Sequence, residues 1–232
     1  GGLRMVTVGL VRELTAEAAR QAALGAGARL VGSYAGRLTR ADVRAIVEQA
    51  PDVLLLCGGT DGGNFDTIVH NARALAVSPL ACPVVVAGNR EAADEVMDVL
   101  QPMPASAVLA GNVMPELNVL SIDAARAAIR EVFMNRIVHA KGIDRAGTLL
   151  DDVLMPTPAA VLEGAQLLAR GPAGDDGLGP LLVIDPGGAT TDVHSIGEGE
   201  PRNGAVRLGL PEPHAKRTVE GDLGMRHNAH SI

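Results

Sequence analysis

A chain of 232 residues with 47% hydrophobic content is long enough to bury a sizeable core in one or two domains. With 1% aromatic residues and no tryptophan, that core has to be built from Ala, Val, Leu and Ile. A net charge of −7 and a pI near 5.3 exclude the basic surface that nucleic-acid or anionic-membrane binding needs, and so few aromatics leave no stacking platform for single strands.

No apolar run approaches the ~18 residues of a membrane span, and the first residues lack a signal-peptide pattern. Cys57 and Cys82 fit no metal or redox spacing. The chain therefore reads as cytoplasmic, with two buried free thiols.

From Met5 to about Asn112 strand-like and helix-like runs alternate. RMVTVGL reads as a strand, and Thr15 as the N-cap of AEAARQAALGAG, a helix closed by glycine. RLVGSY is a second strand; Thr39 caps RADVRAIVEQA, which stops before Pro51; DVLLLCGG is a third strand. Asn64 starts FDTIVHNARALAV, PVVVAGN follows as a strand, REAADEVMDVL as a helix and SAVLAGN as a fifth strand. The alternation, with apolar runs suited to burial on both faces, predicts an α/β class: a doubly wound, Rossmann-like parallel sheet over residues 1–118.

In such a sheet ligands bind at the carboxyl ends of the strands. The third strand ends there in Gly58, Gly59, Thr60, Asp61, Gly62, Gly63 and Asn64, a candidate second ligand loop whose glycines leave amides open to an anion ahead of a helix N-terminus. Glycine and asparagine are equally what a tight strand-to-helix turn requires, as in the two AGN turns at Ala87–Asn89 and Ala110–Asn112. Both readings of the loop stand open.

Residues Leu120 to Gly142 form the longest helix candidate, with His139 as a solvated last-turn residue. Val153 to Gly171 reads as a turn and a proline-opened helix ending in glycine, and Gly171 to Pro180 as a flexible acidic linker. Past Ile196 come a turn, a short strand candidate in AVRLGL, and a polar tail from Pro211 onward. His227 and His230 in that tail lack the further ligands that a metal site needs.

The chemistry concentrates in LLVIDPGGATTDVHSI, Leu181 to Ile196. Val183 and Ile184 supply a strand, Gly187 and Gly188 a tight turn, Val193 and Ile196 part of a returning strand. At the tip, bare glycine amides and the hydroxyls of Thr190 and Thr191 suit phosphate oxygens, and Asp185 at the strand end is placed to hold Mg²⁺ through water. The residues alone also fit a glycine-rich hairpin turn with Asp and Thr bonding locally.

MPTPAAVLEG followed by DPGGATTD resembles the second phosphate-binding segment of the actin, sugar-kinase and Hsp70 ATPase superfamily. LLLCGGTDGGNFDTIVHNARALA, LNVLSIDAARAAIREVF and RTVEGDLGMR narrow the likeness. With them nearly all of the chain resembles the MutL/GlmL family, accessory proteins of coenzyme-B12-dependent glutamate mutase and unrelated to the mismatch-repair protein of similar name.

That resemblance implies a partial actin-like (ribonuclease H-like) ATPase lobe over 119–232, and an internal fragment lacking an earlier D-x-G-[ST] phosphate segment. It implies ATP/ADP and Mg²⁺ as cofactors, with Gly187, Gly188, Ala189, Thr190, Thr191 and Asp192 at the nucleotide. Asp185 would be the catalytic and metal-orienting residue, while Asp192 ties the hairpin to its own backbone. Glu220 and Asp222 would face the cleft. The partners implied are subunits of a cobalamin-dependent aminomutase. No direct cobalamin ligation is expected, since the doubly wound part over 1–118 holds no D-x-H-x-x-G segment.

Two departures bear on catalysis. Pro186 replaces an aliphatic residue and removes an N–H, and Met155 stands where related ATPases carry an acid, with Asp151 and Asp152 a turn earlier. The expectation is slow ATP turnover from a full-length protein and none from this fragment alone. The alternatives are a small-molecule kinase of the same superfamily and a non-catalytic, nucleotide-switched docking module.

Overall fold

The computed structural model describes residues 3–140, 155–173, 176–188, 190–198, 210–220 and 223–226, with the backbone alone for 136–140. Five strands form a parallel sheet: β1 (Arg4–Gly9), β2 (Arg29–Ala35), β3 (Val53–Leu56), β4 (Val84–Val86) and β5 (Ala107–Leu109), in the order β2-β1-β3-β4-β5. Helices α1 (Thr15–Gly25), α2 (Arg40–Glu48), α3 (Asp66–Ala76) and α4 (Ala93–Leu100) are the crossovers, α4 being preceded by one 3₁₀ turn at Arg90–Ala92. A long helix, α5 (Asp123–Ala140), follows.

The strands divide their side chains between two cores by strict alternation. Met5, Val53, Leu55, Cys57 and Val85 pack with α1 and α5, and Val6, Val8, Leu54, Leu56, Val84 and Val86 with α2, α3 and α4. Ala18, Ala19, Ala22 and Ala23 line the sheet side of α1, all fully buried. Alanine in place of large side chains lets helix and sheet approach closely, so packing is achieved without aromatics. Cys57 and Cys82 are buried and free of disulfide, and burial pushes the Cys57 thiol far above its usual range, which makes it inert.

Helix starts divide into one that follows its sequence signature and one that does not. Thr39 caps α2 in a full capping box: its hydroxyl accepts from the Asp42 amide at 3.2 Å, while the Asp42 carboxylate accepts from the Thr39 amide at 2.8 Å. Thr39→Ala is expected to cost about 1 kcal/mol, seen as a fall in the urea midpoint with an unchanged slope. Thr15 is instead the first residue of α1. Its Oγ1 accepts from the amides of Leu10 (2.7 Å) and Val11 (2.9 Å), so it closes the β1–α1 turn rather than capping the helix.

After the sheet come α6 (Thr157–Arg170) and a second, antiparallel sheet of β6 (Leu181–Pro186), β7 (Thr191–Ile196) and β8 (Ala215–Glu220), in the order β6-β7-β8. Pro156 is the N-cap of α6, and Gly171, at φ 76°, ends it. Leu162 and Ala165 of α6 pack on Ile196 and Ala215 of the small sheet. The polar tail therefore contains a strand, β8, that apolar patterning does not reveal; most of AVRLGL lies outside the described residues.

β8 lies along α1. Arg217 donates to the carbonyls of Leu24 (3.1 Å) and Ala28 (2.9 Å) at the C-terminal end of that helix. Arg126 of α5 donates to Ala215 O at 3.2 Å, and Arg130 of α5 pairs with Glu163 of α6 at 2.8 Å. No helix among the described residues is long and apolar enough to cross a membrane.

Candidate functional site

The β6–β7 hairpin forms as its sequence predicts, with Asp185 directly opposite Asp192, Ile184 opposite Val193 and Val183 opposite His194. Directly paired residues of an antiparallel sheet share a face. Asp185, Asp192 and His194 thus stand together on the side that α6 covers, with Arg217 of β8 beside His194. Leu182 and Ile184 point the other way and are 61% and 59% exposed.

The tip is held by a short strap. Met225 N donates to Gly187 O (2.9 Å), Arg226 N to Gly188 O (2.8 Å), and Thr191 Oγ1 to Leu223 O (2.6 Å). Gly187 N donates across the turn to Thr190 O at 2.8 Å. Gly188 is exposed, and a Cβ there would lie 3.6 Å from Arg226 Cδ, so the tip stands beside a cation. Asp185 and Thr190 are half-buried. Ala189 and Asp222 lie outside the described residues, as do Asp151, Asp152, His227 and His230; Glu220 is exposed at the end of β8, and Met155 is half-buried just before α6.

Among the described residues, the hydrogen-bond partner of the Asp192 side chain is Arg217 rather than hairpin backbone. Both of its oxygens accept from Arg217 Nη2, at 3.0 and 3.1 Å, with the two side chains almost wholly buried. Arg217 Nη1 is the group that reaches the α1 carbonyls, so a single guanidinium ties the hairpin carboxylate to the parallel-sheet domain. Sequence reasoning missed both Arg217 and His194: Arg217 reaches Asp192 only through strand register, whereas His194 stands two residues along the same strand, and alternation alone puts it on the same face.

His194 is fully buried, and among the described residues neither ring nitrogen has a hydrogen-bond partner. Burial, and then the neighbouring Arg217, hold its pKa below the ordinary histidine value, against the opposing pull of Asp192 and Asp185. The folded state thus prefers the neutral ring, while the unfolded chain takes up a proton near the usual ~6.5. Stability contributed by His194 is complete above that value and is lost as pH falls through it towards the lower folded pKa. Denaturant midpoints between pH 7 and 5 should fall for the native protein and fall less for His194→Gln; parallel curves would refute the assignment.

The second candidate loop lies elsewhere. It follows β3 at the carboxyl end of the parallel sheet, whereas Arg217 anchors the hairpin at the end of α1 that leads into β2. Three consecutive amides of the loop are taken: Asp61 N donates to Pro115 O (2.9 Å), Gly62 N to Asn89 Oδ1 (3.3 Å) and Gly63 N to Thr60 O (2.9 Å). The two AGN asparagines hold it in place. Asn89 Nδ2 donates to the carbonyls of Gly63 and Asn64, and Asn112 Nδ2 to Gly59 O and the Asp61 carboxylate. Gly58 and Gly59 are buried, Thr60 and Asp61 half-buried, and Gly62, Gly63 and Asn64 exposed.

A family model described as MutL protein matches residues 1–232. Protein MutL of Clostridium tetanomorphum is 52% identical over 233 residues, a match covering 100% of this chain and 50% of that protein. The chain thus spans about half the length of the curated relative it matches. Together with the separated motifs of the hairpin, the α6 segment and the glycine loop, this full-length match shows that the chain belongs to the MutL family.

Proposed function

We propose that this chain is the part of an ATP-dependent accessory protein that grips nucleotide phosphate, and that the whole protein reactivates a coenzyme-B12-dependent mutase such as glutamate mutase. The observation that carries the reading is the β6–β7 hairpin. An exposed Gly188 at its tip stands beside the side chain of Arg226, and Asp185 lies on β6 directly before Pro186, the last residue of that strand.

Those groups fit a magnesium-bound polyphosphate more narrowly than the motif suggests. Thr191 Oγ1 and Asp192 are committed to Leu223 and Arg217, which leaves Gly188, Thr190 and Arg226 for phosphate oxygens. Among the described residues the Asp185 carboxylate makes no hydrogen bond, and it would accept them from metal-bound water. Magnesium, when bound, screens the charge of the terminal phosphates.

In this reading the α/β domain of 1–118 and an actin-like half-lobe of 119–232 meet along α1, with α5 and α6 linked by Arg130 and Glu163. The Asp192–Arg217 pair joins the hairpin to the α1–β2 turn, so a change at the tip is felt in the parallel-sheet domain. Nucleotide can bias mutase binding only through such differential contacts. A half-buried Met155 at the entry to α6, where an acid is expected, favours a second reading: a switch that binds ATP without turning it over.

Single-turnover hydrolysis by the full-length protein tests both. Asp185→Ala is expected to slow phosphate release at least about tenfold, the low end of what a positioned acid–base group supplies being larger still. Equal rates remove Asp185 from the mechanism, and ATP binding with no phosphate release selects the switch. Reactivation of an inhibited mutase, with and without ATP, tests the partner.

A further inference from the structure

Phosphate binding at the tip leaves the inner face of the hairpin unexplained. Asp185 and Asp192 are directly opposed across two strands, an arrangement that like charges make unfavourable. Arg217 compensates one of the two, so a negative charge remains. His194 completes the group: one ligand atom from each of Asp185, Asp192 and His194 lie within 4.8 Å of one another. Its ring is 0% exposed and, among the described residues, both nitrogens lack a partner, an expensive state for an imidazole that always carries one bare lone pair when neutral.

We propose that Asp185, Asp192 and His194 bind a divalent transition-metal ion of the Zn²⁺ type, held by side chains alone with no nucleotide present. Two carboxylate oxygens and one imidazole nitrogen suit zinc, whereas Mg²⁺ prefers oxygen donors and keeps its water. Zinc bonds of about 2.0–2.2 Å set neighbouring ligand atoms roughly 3.3 Å apart, so the three side chains, now within 4.8 Å of one another, draw together when the ion binds.

Asp192 stays on Arg217 while it ligates, because a carboxylate offers about four lone-pair sites. Arg217 then orients a ligand, as outer partners of metal sites do. Three protein ligands leave a fourth position for water. The site shares Asp185 with the proposed ATP role, but metal uptake is measured without nucleotide and read at His194 as well, so either idea can fail alone.

The test is Zn²⁺ uptake by nucleotide-free protein in competition with a chromophoric chelator. Co²⁺ replaces zinc for NMR, where a ligating imidazole gives far-shifted proton resonances. One equivalent per chain is expected, weakened at least about 100-fold in both His194→Gln and Asp185→Asn, at or beyond the upper end of losses from outer partners alone. Ser195→Ala, on the opposite face, should bind as the native protein does. No uptake by native protein, or uptake that survives both substitutions, overturns the proposal. Should His194→Gln fail to fold, the Co²⁺-shifted imidazole signals of native protein and their loss in Asp185→Asn decide it, and bound Co²⁺ without them also overturns it.

Discussion

Arg217→Met is expected to lower the unfolding free energy by about 3–5 kcal/mol, the usual result of stripping one partner from a buried ion pair. The Asp192 carboxylate, almost wholly buried, would lose both of its bonds, and the carbonyls of Leu24 and Ala28 would lose their donor. Methionine fills similar volume, so the loss is electrostatic rather than a cavity. Adding Asp192→Leu should recover much of it, since apolar replacement of a whole buried pair is often close to neutral. Urea unfolding of both single mutants and the double mutant gives the cycle; a loss below about 1 kcal/mol for Arg217→Met would mean that water reaches the pair.

Gly59→Ala carries the next largest effect. Its backbone sits at φ 74°, and a Cβ would run into the backbone carbonyl oxygen of Asn64 while standing 3.2 Å from Asn89 Cβ. Left-handed strain and overpacking act together there, for a cost on the order of 3 kcal/mol. Gly36→Ala supplies the control. Gly36 has a similar φ of 80° with nothing within 4 Å of a Cβ, so only the conformational term of about 1 kcal/mol applies. If the two substitutions cost the same, the loop around Gly59 yields more readily than its hydrogen bonds indicate.

How much of this was legible follows from how each element is buried. The parallel strands announce themselves because both faces are covered, and runs such as Val53–Leu56 must then be apolar throughout. Thr39 is legible because a capping box has a fixed spacing. Thr15 has the same residue type but serves the amides of Leu10 and Val11, a demand set by the turn and not by the helix. β8 is hidden because its inner-face positions are Ala215, Arg217 and Val219, and a buried arginine erases the alternation that marks a half-buried strand.

The site divides the same way. Glycines and carboxylates around Asp185 can be read from spacing within one hairpin, since their partners are local. Arg217 lies 25 residues from Asp192, so their meeting depends on strand register that composition does not encode, whereas His194 shares the face of Asp192 by alternation along one strand. The asparagines of the two AGN turns belong with them. Their role as clamps on the Gly58–Asn64 loop depends on three strand ends lying side by side.

The bond from Arg217 to Leu24 spans 193 residues of sequence. During synthesis the five strands of the parallel sheet are present once β5 has emerged, whereas this tie must wait for β8. Closing so long a loop is entropically costly and slow to find, so docking of the small sheet should be the late event in folding. Until then the carbonyls at the end of α1 are served by water.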